Sequence, residues 1–184
     1  MFRTCVISAA VSASLAGGAA LAGNPMVGGA PMYADKTIIE NAVNSEDHET
    51  LVAAVKAAGL VETLQGAGPF TVFAPTDAAF DKLPDETVEA LMKPAHQEQL
   101  AGILTCHVVA ADAMSTDIIG MIDDDGGMHA VPTVGGCELE ARHEGDEIVL
   151  TDERGQTINV TIADVAQSNG VIHVVDTVIL PGTE

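Results

Sequence analysis

Thr76 and Asp77 place a hydroxyl and a carboxylate side by side within the stretch FTVFAPTDAAF, residues 70–80. Such a pair could act as a nucleophile and its base, but no His or Lys adjoins the pair to activate the hydroxyl. The alternative is structural: Pro75 ends a strand because it cannot donate to a sheet, and Thr76 then caps a helix that begins behind it. We favour this interpretation, in which the three phenylalanines of the stretch anchor both the strand and the helix.

Histidines are the next candidates for chemistry. His107 and His173 each lie in an apolar run that we predict to be a strand. We expect both to be buried and hydrogen-bonded to backbone or to a carboxylate, since a buried imidazole needs such partners. Asp176 follows the second run, and we expect it to accept hydrogen bonds at a strand end or turn. His48 begins a helix that lacks the second His of a zinc protease, because Val52 takes its place.

The run Asp123-Asp-Asp-Gly126 resembles a calcium-binding loop. With Gly126 as the sixth position of such a loop, Met121 and Pro132 occupy positions one and twelve, where acids are required. There is also no phosphate loop, no nucleophile elbow and no dinucleotide fingerprint. The sequence therefore predicts no enzyme, no cofactor and no specific metal site, although so acidic a surface is compatible with weak binding of divalent cations.

The first 22 of the 184 residues read as a cleavable signal peptide. Arg3 precedes a run of small apolar residues, and Ala20-Leu21-Ala22 fits the small-x-small rule of signal peptidase. No basic flank follows that would stop transfer, so we expect no membrane span after cleavage. We predict a secreted or periplasmic chain that begins at Gly23.

Charge excludes one class of partner. The net charge is −20, and loss of residues 1–22 removes Arg3 and no acid, which makes it −21. Nucleic acid needs Lys and Arg to displace its counterions, and the chain has no Trp on which bases could stack. We therefore expect no nucleic-acid binding.

Cleavage would also remove Cys5 and leave Cys106 and Cys137 as an even pair. Disulfides persist in exported proteins, so these two cysteines could form one. They could equally be two buried thiols that act as small hydrophobes. The sequence leaves both alternatives open.

Periodicity predicts an α+β domain. Residues 23–34 read as a flexible leader, several helices follow from Asp35, and a strand covers Phe70 to Ala74. Residues 103–110 should change from helix to strand, and residues 110–136 read as rich in loops. Four strand-like runs then follow, the last two separated by Asn169-Gly170, which is a strong hairpin signal. Helices first and a β-meander last favour α+β over a wound parallel sheet.

Three segments, TVFAPTDAAF at 71–80, ILTCHVV at 103–109 and NGVIHVVDTVILP at 169–181, together resemble the signature blocks of the fasciclin domain. The resemblance covers residues 35–181 and leaves 182–184 as a tail. It implies two β-sheets in a wedge with helices packed around them. The matching residues are Thr71, Phe73, Pro75, Thr76, Asp77 and Phe80 in the first block, Cys106, His107 and Val108 in the middle block, and Asp164, Asn169, Gly170, His173 and Asp176 in or near the last.

The resemblance also implies adhesion to a cell-surface or matrix protein or polysaccharide. The middle block, which is implicated in adhesion, usually reads Tyr-His, whereas this chain has Cys106-His107. The sequence therefore leaves open whether this chain binds the same partner as other members of the family. Two hypotheses follow from the sequence: a non-enzymatic adhesion domain, which we favour, and an exported domain that binds a small molecule or ion.

Overall fold

The computed structural model describes residues 24–145 and 147–182. The predicted signal peptide and its cleavage site lie outside the described residues, as do Asp146 and the last two positions of the chain.

Most of the helices pack together on one side of the main sheet, and the last helix lies on the other side. Thr37 caps the first helix: its side chain accepts from the backbone of Glu40, and the Glu40 carboxylate accepts from the backbone of Thr37. Gly59 ends the second helix at φ +73°, a conformation that glycine adopts without strain. The helices are α1 (Ile38–Ala42), α2 (Glu49–Ala58), α3 (Val61–Gln65), α4 (Asp77–Phe80), α5 (Asp85–Leu91), α6 (Gln97–Thr105) and α7 (Ser115–Asp124), with 3-10 turns at Glu46–His48 and Pro94–His96.

The strands are β1 (Met26–Val27), β2 (Ala30–Pro31), β3 (Phe70–Pro75), β4 (Val108–Val109), β5 (His129–Pro132), β6 (Glu138–Glu144), β7 (Glu147–Thr151), β8 (Thr157–Gln167) and β9 (Gly170–Val175). The last seven join in the order β4-β3-β9-β8-β7-β6-β5, in which only β3 and β9 run parallel. The predicted meander of four strands is confirmed, and β4 and β5 are the two edges of the sheet.

Strand β8 holds the two halves of the sheet together. Its residues 157–159 pair with β7, and its later residues pair with β9 across register shifts at Ile162. Asp164 lies in this irregular stretch at φ +60°. The strand therefore bends, as bulged strands do, and contributes to both halves of the sheet.

The two faces of the sheet bury two cores. In β3, Val72 and Ala74 point toward the helices, whereas Phe73 between them points to the opposite side. This alternation is the period of two that a strand imposes. The second core includes Ile118 and Ile122 of α7, which covers the inner face of the bent sheet.

Three sequence predictions need correction. Residues 110–136 contain α7 and β5, so they are not mainly loop. The leader forms a two-stranded hairpin whose Val27 is 4% exposed and whose neighbour Met32 is 2% exposed, both packed in the helical core. Helix α6 continues to Thr105, so His107 follows it in a turn and not in a strand. The apolar positions of 103–110 fit a helix end as well as a strand, which is why periodicity misplaced them.

Candidate functional site

The three signature blocks meet in adjacent strands. β3 carries the first block, β4 ends the middle block and β9 carries the last, and the sheet order places β3 between the other two. Phe73 pairs in register with His173, and their rings stack with centroids 5.7 Å apart. Val72 pairs with Val108. Segments far apart in the chain therefore form one structural unit.

Thr76 and Asp77 do not form a nucleophile-base pair among the described residues. Asp77 Oδ1 accepts from the backbone N–H of Thr50 at 2.8 Å, which ties α4 to α2. Thr76 occupies the N-cap position of α4, but its side chain makes no capping hydrogen bond. The predicted position of the cap is right and the predicted side-chain bond is wrong.

His107 is buried, and its hydrogen bonds connect the turn after α6 to α6 itself and to the segment after β9. It is 2% exposed; its Nδ1 lies 2.8 Å from the Ile103 carbonyl, and its Nε2 accepts from the backbone N–H of Ile179 at 2.9 Å. Nδ1 therefore carries the proton that is donated to Ile103. Burial lowers the pKa of His107 to about 4 against the smaller raising effect of that hydrogen bond. A neutral imidazole with both nitrogens engaged holds the fold and leaves no atom for a substrate.

His173 has the opposite tautomer and the same kind of role. It is fully buried; its Nε2 lies 2.9 Å from the Ala113 carbonyl, and its Nδ1 accepts from the backbone N–H of Asp164. Burial lowers the pKa of His173. The Asp164 carboxylate in turn accepts from the backbone and the hydroxyl of Ser115, at the first residue of α7. The pair His173–Asp164 thus orients α7 against the bulge of β8.

Asp176 is a hydrogen-bond acceptor at a strand end, as the sequence predicts. Burial raises the pKa of its carboxyl, but hydrogen bonds from Asn159, Thr177 and Lys82 outweigh burial and lower the pKa to about 2. Its bonds to Asn159 join β8 to the end of β9.

Asn169 and Gly170 connect the last block to the helices. The Asn169 amide donates to the carbonyls of Leu64 and Gly66, and its oxygen accepts from the backbone of Ile38. Gly170 lies at φ +154°, where a Cβ would collide with the Phe70 carbonyl oxygen. Only glycine allows β9 to approach β3 this closely.

The structure joins Cys106 and Cys137 by a disulfide, with their Cα atoms 5.3 Å apart. Both residues are buried in the second core. The bond links the end of α6 to the start of β6, and thus the helical layer to the meander.

We expect this disulfide in the isolated protein. Titration of the denatured, unreduced domain with a thiol reagent should find no free thiol from Cys106 or Cys137, and reduction should release two. Cleavage of the cross-link should lower the free energy of unfolding by about 2–4 kcal/mol, since the open chain has more unfolded-state entropy. Two free thiols per mature chain before reduction would contradict this prediction.

The acidic run Asp123 to Gly126 begins in the last turn of α7 and continues through the C-cap Asp125 into the following turn. Asp125 lies 2.5 Å from Nδ1 of His129, and Asp123 lies 3.0 Å from Nε2 of His143. Within residues 24–145 and 147–182, no three His, Cys, Asp or Glu side chains converge as metal ligands would.

Two features of the structure were missed at the sequence level. Asn41 is fully buried and links Tyr33 of the leader to Gln167 of β8. An apolar cleft of about 320 Å³ lies between the edge strands β4 and β5. Asn41 was not predicted because a buried Asn within a helix does not follow the apolar periodicity. The cleft was not predicted because it depends on how distant elements pack together.

A family model described as Fasciclin domain matches residues 46–181. The chain belongs to the fasciclin domain family. A solved structure of a FAS1 domain pair from the insect cell adhesion molecule Fasciclin I matches with a TM-score of 0.71 over 79% of this chain and 51% of that one. At 20% identity this likeness concerns the fold, and it confirms the α+β fasciclin-type architecture.

Relatives in sequence include bacterial and animal proteins of this family. Protein sll1483 of Synechocystis is 44% identical over 79% of this chain and 73% of its own length. Cell surface glycolipoprotein MPB83 of Mycobacterium bovis is 34% identical over 66% of this chain and 48% of its own. Transforming growth factor-beta-induced protein ig-h3 of Sus scrofa is 32% identical, and the chain spans 19% of its length.

No helix within the described part of this fasciclin domain is both long and apolar enough to cross a bilayer.

Proposed function

We propose that this fasciclin domain is an exported, non-enzymatic adhesion or surface-interaction module. One observation carries the proposal. The polar side chains of the motif make hydrogen bonds within the domain, as seen for His107, His173, Asp164, Asn169 and Asp176. These imidazoles and carboxylates therefore hold strands and helices in place and are not presented to a substrate. The relatives named as cell-surface and adhesion proteins support the same function.

The exposed residues beside the middle block form the contact face that we propose, because the block itself is buried. Cys106, His107 and Val108 are at most 5% exposed, so a macromolecule cannot reach their side chains directly. The segments that flank them are exposed: residues 110–112, and Val134, whose backbone N–H donates to the Val108 carbonyl. We assign adhesion to this face, because loops on a rigid scaffold are where proteins carry binding residues.

Charge restricts the partner. With a net charge of −20, the domain repels other anionic surfaces. A partner protein or polysaccharide must therefore present cations, or contact must be bridged by divalent ions. At physiological ionic strength salt screens the repulsion between charges more than about 8 Å apart, so it eases the approach of an anionic surface.

Attachment of the purified mature domain to the organism's own cells or matrix tests the proposal. We expect saturable attachment that rises when calcium is added. Asp112→Lys reverses a charge on the proposed face, and loss of about 1.4 kcal/mol of binding there would lower attachment about tenfold. Asp81→Lys changes the net charge equally at an exposed position outside this face, and it should attach like the unmodified domain. No attachment under any condition, or equal losses in both variants, would contradict the proposal.

A further inference from the structure

We propose that the cleft between β4 and β5 binds one neutral, mainly hydrocarbon small molecule. The two strands are the unpaired edges of the seven-stranded sheet, and α7 lies across the space between them. Residues 134 and 135 follow β5. The backbone N–H of Val134 donates to Val108 of β4, and that of Gly135 donates to Thr105 at the end of α6, so this segment closes one side of the cleft. The space is thus walled by β3 and β4, by β5 and by α7.

The walls of the cleft are apolar. The apolar side chains that line it include Phe73, Val109, Ile118, Met121 and Val131. Thr71 also lines the cleft, but its hydroxyl donates to the Ala111 carbonyl and accepts from the Ala113 N–H, so its polarity is satisfied within the protein. A ligand that buried polar groups against these walls would lose hydrogen bonds to water without replacement. The cleft therefore selects hydrocarbon.

The size of the cleft distinguishes it from a packing defect. Protein interiors hold few voids larger than a water molecule. An apolar cavity of about 150 Å³ is enough to bind benzene. The volume of about 320 Å³ is roughly twice that, and it corresponds to a ligand of about a dozen non-hydrogen atoms. Ala110 and Ala111 line the cleft and are exposed, so they mark a mouth through which such a molecule can enter.

Charges around the mouth exclude anions. Asp112 is exposed between two residues of the lining, and Asp125 pairs with His129, the single ionisable side chain that lines the cleft. A carboxylate or phosphate headgroup at this mouth would meet these acids without a lysine or arginine in the lining to offset them. The apolar walls disfavour a charge of either sign, and the acids add repulsion against anions. The ligand is therefore neutral, and it is neither a fatty acid nor an anionic lipid.

A matched pair of probes tests this proposal at pH 7. 2-Naphthol is neutral and 2-naphthoate is anionic, and both have the size of the cleft. We expect 2-naphthol to bind saturably with one site per chain and 2-naphthoate to bind at least about tenfold more weakly, a difference of roughly 1.4 kcal/mol. Equilibrium dialysis measures both, and naphthol fluorescence is readable because the chain has no Trp.

Two substitutions locate the site. Ala111→Phe places a ring at the mouth and should weaken 2-naphthol binding at least about tenfold. Ala53→Phe makes the same change on an exposed face of α2, away from the cleft, and should leave binding unchanged. Ala110→Phe is a second mouth variant if Ala111→Phe does not fold by circular dichroism. Absence of saturable 2-naphthol binding, equal binding of 2-naphthoate, or equal loss in the α2 variant would overturn the proposal.

Discussion

Replacing Phe80 by alanine is expected to lower the free energy of unfolding by about 3–5 kcal/mol, the range for loss of a buried aromatic ring. Phe80 is 8% exposed and lies in the helical core, where α2, α5 and α6 surround it. These helices also pack on one another, so they cannot collapse fully into the space that the ring leaves. Urea denaturation followed by circular dichroism measures the loss.

Thr76→Ala is the companion variant to Phe80→Ala. The sequence predicts a loss of about 1 kcal/mol for a helix cap. Because the Thr76 side chain is half-buried and makes no capping hydrogen bond, we expect a change within about 0.5 kcal/mol, as for a substitution that removes no specific interaction. A loss above 1 kcal/mol would show that Thr76 does cap α4. Unchanged stability with loss of a measurable activity would restore the catalytic interpretation.

Acidification should destabilise the domain through His107. Its folded pKa of about 4 lies below the ordinary value of 6.5, so the unfolded chain binds the proton more tightly. The stabilisation is complete above pH 6.5 and is lost as the pH falls toward 4. We expect a loss of about 2 kcal/mol between pH 7.5 and pH 5 from this group alone.

His107→Gln removes the titrating ring, and its stability should fall less than that of the unmodified domain over the same pH interval. His48 and His173 also have lowered pKa values and remain in both proteins, so the difference isolates His107. His96→Gln, at an exposed position, should keep the full pH dependence. If His107→Gln does not fold, NMR of the imidazole nitrogens replaces it: titration of His107 near pH 6.5 in the native state would contradict the prediction.

The parts of the fold that follow local rules were predictable. Pro75 ends β3, Thr37 caps α1, and Asn169-Gly170 turns the last hairpin, because each depends on residues within a few positions. The signature blocks also predicted the fold, since their order and spacing are specific to one family.

The parts that depend on tertiary contacts were not predictable. Helix α7 begins at Ser115, and Met114 takes the N-cap position where Ser, Thr, Asp or Asn is usual. Its start is held by Asp117 within the helix and by Asp164 of β8. The leader hairpin has strands of two residues, too short for any period, and it is ordered by burial of Val27 and Met32. The pairing of Cys106 with Cys137 and the cleft likewise arise only when distant elements meet.

The parallel pairing of β3 with β9 has a consequence for biogenesis. It brings Phe70 beside Gly170, so these two interior strands meet only when almost the entire chain is available. Contacts between residues so distant in sequence must close a long loop before they add stability, and proteins rich in them fold slowly. A ribosome-bound chain that ends before β9 cannot complete either core. The domain should therefore stay unfolded during most of its synthesis, which is the state that the proposed export requires.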